Sequence, residues 1–225
     1  MLMLPSPSVR GYKEAADMTD DTTNTSGWDA ITAEFERVYP DQKNPKHFAP
    51  IISMRLGGND PLEGISIYDG GDFWHFVSYG LSELYEKECE NKEWSGYGFE
   101  LTFKLKKGCY DPENEENELK SVAGLLQQVA RITFRNGDIF QNNEYIYTGQ
   151  TAGIDFRQQS SLTGFICIYD PTVDILETPN GRVEFIELVG MTDAELKTLG
   201  SHESVAEIYE RLGSDVTDYK RNSIV

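Results

Sequence analysis

The stretch S-G-Y-G-F-E-L-T-F-K-L-K-K-G at residues 95–108 decides how this chain folds. Tyr97, Phe99, Leu101, Phe103 and Leu105 are apolar, and Gly96, Gly98, Glu100, Thr102, Lys104 and Lys106 between them are small or polar. Side chains of a strand point alternately to its two faces, so the pattern predicts a strand with one buried face. Its polar face opens on two glycines and a glutamate. Glycine weakens a strand unless a close approach or an unusual backbone conformation requires it. Gly96 and Gly98 make room for a ligand, a partner or the protein's own fold; in the last case Trp94 or another backbone lies across the strand, through a bulge. On a covered face Glu100 needs a hydrogen-bonding partner, which makes it a structural anchor.

Working outward, Ala49–Leu56, Ile65–Tyr68, Trp74–Tyr79, Tyr145–Thr148, Phe165–Tyr169 and Arg182–Val189 read as further strands. The strand at Trp74–Tyr79 is apolar on both faces, as a strand covered on both sides must be. Trp28, Ile31, Phe35 and Val38 give one face of a helix capped by Ser26 and stopped by Pro40. A longer helix runs from about Pro112, with Asp111 as its cap, to the left-handed stop Asn136-Gly137. Thr192 with Glu195 forms a capping box, and another short helix starts near Ser204. No internal repeat or long linker interrupts this order. The reading is one α+β domain over residues 27–225, a mixed, largely antiparallel sheet flanked by helices, after a polar, mobile tail at 1–26.

The chain of 225 residues carries 38 acidic and 20 basic side chains, a formal charge of −18. Such a surface repels phosphate backbones and anionic membranes. It suits a basic protein partner, or serves solubility alone; it leaves the oligomeric state open. Cys89, Cys109 and Cys167 lie far apart with no C-x-x-C, which predicts free thiols rather than a disulfide framework or zinc ribbon. No secretory leader and no run of about 20 apolar residues is present, so a cytoplasmic protein is expected.

Motifs for chemistry are few. L-G-G-N-D-P-L at 56–62 lacks the G-K-[ST] ending of a phosphate loop and reads as a structural turn. His47, His75 and His202 stand at no metal-ligand spacing, no nucleophile motif accompanies them, and no cofactor is signalled. His75, within Phe73-Trp74-His75-Phe76, is either a general base or a buried, hydrogen-bonded side chain. An enzyme or small-ligand protein would need His75 and Glu100 to converge in a cleft. The acidic run over 82–93 holds Glu83, Glu86, Glu88, Glu90 and Glu93 against Lys87 and Lys92, with Tyr85 and Trp94 beside them. Aromatics among like charges make either a protein-binding patch or a solvated surface. Tyr85, Glu86, Glu88, Glu90 and Trp94 are the candidate partner-binding residues.

Four ordered blocks carry a resemblance: L-G-G-N-D-P-L-E-G-I-S-I-Y (56–68), W-H-F-V-S-Y-G-L-S-E-L-Y (74–85), S-G-Y-G-F-E-L-T-F-K-L (95–105) and V-E-F-I-E-L-V-G-M-T-D-A-E-L (183–196). With W-D-A-I-T-A-E-F-E-R-V-Y-P-D-Q (28–42) they resemble the Suppressor of fused domain over roughly residues 28–200. The resemblance implies a mixed α/β fold. Animal members hold Gli transcription factors between two lobes in Hedgehog signalling; this sequence stops at Val225, soon after a first lobe would finish. A peptide-holding tyrosine of those members matches Tyr85, while the place of their aspartate falls near Lys92 or Glu93, so Gli binding is not carried over. Short single-lobe members are bacterial and resemble immunity proteins of polymorphic toxin systems. The expectation is a non-catalytic module that binds and occludes a protein partner such as a basic toxin domain.

Overall fold

The described elements follow in the order α1 (Ser26–Val38), β1 (Lys46–Phe48), β2 (Gly64–Asp69), β3 (Phe73–Tyr79), β4 (Trp94–Lys106), α2 (Glu115–Asn136), β5 (Glu144–Ile146), β6 (Leu162–Tyr169), β7 (Leu176–Thr178), β8 (Gly181–Thr192), α3 (Asp193–Leu196) and α4 (His202–Leu212). The computed structural model describes residues 24–52 and 54–225. Of the expected mobile tail, residues 1–23 lie outside the described residues. The strands form one sheet in the order β1-β2-β3-β4-β8-β6-β5, with β7 pairing β8. Only β4 and β8 run parallel among the described pairs; the other pairings are antiparallel. This is the expected α+β domain with a mixed, mostly antiparallel sheet.

The opening stretch becomes β4, in the middle of that sheet. Its apolar residues Phe99, Leu101, Phe103 and Leu105 meet Leu119, Val122, Leu126 and Val129 of α2 in the largest core cluster. Each fully buried side chain of this kind contributes roughly 1.5–3 kcal/mol. The other face is not solvated as its polar residues predict: Glu100 and Thr102 are 0% and Lys104 is 1% exposed. α1 covers it on one side through Ile31 and Phe35 packed on Val77, Tyr79 and Phe185. α4 covers it on the other through Val205 and Ile208 packed on Ile166, Ile168 and Val189. Both faces of β4 are therefore interior, and its polar side chains form a buried network.

Lys104 is the centre of that network. Its ammonium donates to Asp170 Oδ1 at 2.9 Å, Glu187 Oε2 at 2.8 Å and Asp215 Oδ2 at 2.5 Å. His75, opposite Lys104 in the β3–β4 register, bonds Asp170 Oδ2 through Nε2 at 2.8 Å and Tyr39 Oη through Nδ1 at 2.8 Å. Burial pushes the Tyr39 phenol up, so it stays protonated and donates to Nδ1. Burial likewise lowers His75, against the pull of Asp170, so the imidazole is neutral with its proton on Nε2. Burial opposes the Lys104 charge, but Glu187, Asp170 and Asp215 outweigh it and raise its pKa. Burial raises Glu187 well above the usual carboxylate range, and its Oε1 has no hydrogen-bond partner among the described residues.

Four residues earlier on the strand, Glu100 serves the same face. Its Oε1 accepts from the Gly80 and Ser82 amides, both at 2.9 Å, and from Ser82 Oγ at 2.7 Å. Ser78 Oγ donates to Oε2 at 2.5 Å while accepting from the Leu101 amide at 2.8 Å. Glu100 is thus the anchor expected of it, tying β4 to the turn after β3. The glycines answer as expected too. Gly96 has φ +57°, and a Cβ there would meet Leu81 O at 2.7 Å; one on Gly98, φ +84°, would meet the Trp94 ring at 3.0 Å. The β4–β8 register shifts between Trp94 and Phe99, as a bulge.

Three local expectations need correction. The described residues of 49–56 are not a strand: β1 occupies Lys46–Phe48, Met54–Leu56 is a 3-10 turn, and Ile51 and Leu56 are exposed. Pro50 removes the ladder donor that a continued strand would need. Ser26 does not cap α1 but lies in its first turn; the Gly27 and Trp28 amides donate to Leu84 O at 3.1 and 3.0 Å instead. Asp111 makes no side-chain cap, and Pro112–Asn114 forms a 3-10 turn before α2 begins. The capping box of Thr192 and Glu195 is present, and Gly137 ends α2 at φ 78°. The turn at 57–62 is pinned to α2 by Gln127, which exchanges hydrogen bonds with the Leu62 amide and carbonyl.

Three outcomes follow. Lys104→Met should cost about 3–5 kcal/mol in urea unfolding, because it strands buried carboxylates. Glu100→Ala should cost about 3 kcal/mol, and Glu100→Gln nearer 1, with the Gly80 and Ser82 amides exchanging faster by NMR in both. His75 takes up a proton near 6.5 only when unfolded, since its folded pKa is lowered from 6.5. Its contribution is therefore present above that pH and lost as pH falls below about 6.5. Tm should drop between pH 7.5 and 5.5, and His75→Asn should flatten that drop; an equal slope in both would contradict the assignment.

Candidate partner-binding site

The connection from Gly80 to Glu93 holds no helix or strand, yet it is fixed from inside at three levels. Glu100 holds its first residues, Gly80 and Ser82. Glu83 then turns inward and gathers the middle. Its Oε1 accepts from the Glu88 and Cys89 amides at 2.7 and 2.6 Å, and its Oε2 from Lys87 Nζ at 2.8 Å and the Gly96 amide at 3.2 Å. Burial alone would raise Glu83, but Lys87 and these amides outweigh it and lower its pKa. Lys87 also donates to Trp94 O. Finally, Asn180, in the turn before β8, donates to Glu83 O and Tyr85 O at 2.7 and 3.0 Å, and Leu84 O receives the first amides of α1.

This frame decides which way each candidate faces. Glu86, Glu88 and Glu90 are exposed, and Tyr85 and Trp94 half-buried. Tyr85 packs on the α1 cluster. With Glu86 and Glu88 it lines a groove of ≈ 390 Å³, shared with Leu81, Tyr97 and Phe134. Trp94 lies over Gly98 and under the Arg182 guanidinium, 5.4 Å from its ring centroid. It lines a second groove of ≈ 520 Å³ with Phe140 and Tyr169. Glu90 lines neither groove. Because Lys87 is drawn in to Glu83, it does not neutralise the outer glutamates.

The sequence pattern missed the partners that complete these grooves. Met54, Tyr97 and Phe134 share the first with Tyr85, and Ile139 and Phe140 share the second with Trp94. Tyr97 belongs to the apolar alternation of β4 and so reads as core. It sits where β4 runs past the end of β3 and its face opens. Glu83 and Lys87, four apart, look like a surface helix pair; the chain instead loops around their contact.

His75 and Glu100 do not converge in a cleft. Both are 0% exposed, they belong to separate networks, and they lie on neighbouring strands. Lys104, which faces His75, is four residues from Glu100, roughly 13 Å along a strand. Tyr39, His75 and Asp170 form a chain of hydrogen bonds like a catalytic relay, but the Tyr39 phenol at its head is held protonated by burial. Among the described residues no group of three His, Cys, Asp or Glu is placed to hold a metal ion. The three cysteines are free thiols, and among the described residues no helix is long and apolar enough to cross a membrane.

Known proteins share this architecture. The family model described as Suppressor of fused protein (SUFU) matches residues 58–222. The human Suppressor of fused homolog is 32% identical over 183 residues, which are 76% of this chain and 36% of that protein. The chain thus spans about a third of the length of that relative. A chain of the Sufu–Fu complex crystal structure superposes with a TM-score of 0.74 at 29% identity, covering 88% of this chain and 92% of that one. A SUFU homolog from Neisseria gonorrhoeae shares the fold, with a TM-score of 0.54 at 18% identity, covering 88% and 96% of the two chains. The family match over residues 58–222 and the 32% identity to the human homolog lead to one conclusion: this chain belongs to the Suppressor of fused family.

Proposed function

We propose that this chain is a non-catalytic protein-binding module of the immunity type, which neutralises a basic toxin domain by occluding its working surface. The contact is the connection around Tyr85, Glu86, Glu88, Glu90 and Trp94. One observation carries the reading: two half-buried aromatics sit in adjoining grooves behind exposed glutamates, while the nearest lysine, Lys87, is turned inward. Aromatic anchors behind a charged rim are the usual anatomy of a binding hot spot. The charge of −18 favours a basic partner and speeds its approach. A relative of known structure is seen in complex with a protein, Fu.

The relevant assay is protection. Cells expressing a toxin encoded beside this gene should survive when they also express the chain. Tyr85→Ala and Trp94→Ala should each weaken the purified complex by about 2 kcal/mol, roughly thirtyfold, with the thermal unfolding profile kept. Binding should also slow as salt is raised. Failure to protect against that toxin would remove the immunity reading, and unchanged affinity in both variants would remove this surface.

A further inference from the structure

The loop between β5 and β6 encloses a cavity of ≈ 500 Å³ together with α2 and β6. It shares no lining residue with the grooves of Tyr85 and Trp94. Ser121, Leu125, Gln128 and Ile132 recur at helical spacing and give one wall. Ile154 and Phe156 of the loop give a second, and Thr163 and Phe165 of β6 a third. Two hydrogen bonds fix the loop: the Ile154 amide donates to Leu162 O at 3.0 Å, and the Phe156 amide to Glu118 Oε2 of α2 at 2.9 Å. The cavity is thus formed before any occupant arrives, and its size lies in the range of roughly 300–1,000 Å³ typical of small-molecule sites.

Its chemistry describes the occupant. Among the described residues that line it, Asp155 alone is ionisable, in a chain of 38 acidic and 20 basic side chains. That carboxylate is already taken: Oδ1 accepts from the Gln159 and Ser160 amides at 2.9 and 2.6 Å, and Oδ2 from the Gln159 amide at 3.1 Å. An occupant's charge would find no partner here, and an unpaired buried charge is costly. Thr163 is 6% exposed, and its buried hydroxyl has no hydrogen-bond partner among the described residues. Buried hydroxyls are nearly always bonded, and this one belongs to a residue that lines a cavity. At the surface Gln128 and Gln158 are exposed, and each carboxamide offers a donor and an acceptor. Much of the remaining wall is aliphatic, and Phe156 keeps 46% of its surface open. Such walls suit a flat ring better than a polyol, whose hydroxyls need partners on every side. Gly124 widens the mouth: a Cβ there would meet nothing within 4 Å, so packing does not require this glycine inside a helix it weakens.

We infer that this cavity binds an uncharged, flat heterocycle of the nucleobase type, as the free base or its nucleoside, with a polar group of the ligand on Thr163 Oγ1. The ring stacks on Phe156 beside the aliphatic walls, as bases do on aromatic side chains. The base edge meets the paired donor and acceptor of a glutamine. A phosphorylated form is disfavoured, because no basic residue lines the cavity and a chain of charge −18 repels phosphate. The site stands independently of the proposed protein contact.

The test is calorimetric titration of the intact chain with adenosine, uridine, their monophosphates and glucose. At least one nucleoside should bind, its monophosphate more weakly, and glucose not at all. Thr163→Val keeps the shape and removes the hydroxyl. It should weaken the nucleoside about tenfold yet melt no lower than the parent, since the lost hydroxyl had no partner. Gly124→Leu should fill the mouth and abolish binding, while melting higher because leucine favours a helix. A purely structural Thr163 would instead lower the melting temperature and leave affinity unchanged, which would overturn its role. No binding of either nucleoside would overturn the site. So would binding that both variants leave intact, which would place the nucleoside elsewhere. Glucose or a monophosphate binding as tightly as the nucleosides would overturn the ligand class.

Discussion

Glu100 and Lys104 stand on one face of a strand that water does not reach, and most of the fold answers to that constraint. An uncompensated buried charge costs several kcal/mol, so each neighbouring element must bring a partner. β3 brings His75 and Ser78, β8 brings Glu187, the turn after β6 brings Asp170, and the C-terminal stretch brings Asp215. That stretch fills the gap where β4 and β8 diverge: Thr217 pairs with the backbone of Lys104 and Lys106 and with the Gly190 amide. The Lys104 network thus joins the two halves covered by α1 and α4, and Glu100 carries the same logic outward to the surface.

The proposed contact face follows from that outward step. A connection with no helix or strand would ordinarily wander, because each ordered residue costs about 1–2 kcal/mol of backbone entropy. Here Glu100 and Glu83 between them absorb six amide, hydroxyl and ammonium groups of the connection. Tyr85 and Trp94 are held in place before any partner arrives, which reduces the ordering cost of binding. The inward carboxylate of Glu83 and the outward ones of Glu86 and Glu88 differ only in what the backbone offers them.

How far the sequence foretold this depends on the range of the interactions involved. The alternation in β4, the helix periodicity of α2, the box at Thr192 and the stop at Gly137 are local, and each was legible. The reading of Gly96 and Gly98 as room for a close approach also held, because a glycine inside a strand has few other uses. The alternation in β4 showed one buried face but not what covers the other, since that cover comes from α1 and from residues near 215, over 60 and 100 positions away. The apolar run at 49–56 misled for the opposite reason: it has strand composition but no neighbouring strand to pair with. Tyr85, Glu86, Glu88, Glu90 and Trp94 were legible as a cluster by composition. Their division between two grooves, and the contributions of Met54, Phe134 and Ile139, arise only from tertiary packing.

The central claim is that this chain works by presenting the connection between β3 and β4 to a protein partner. Hydrogen–deuterium exchange with mass spectrometry, on the chain alone and bound to a partner recovered from its native cell, tests it directly. The account predicts new protection across residues 80–98, with exchange of the α2 amides unchanged. Protection confined to α2 or α4, with residues 80–98 exchanging as in the free chain, would contradict it.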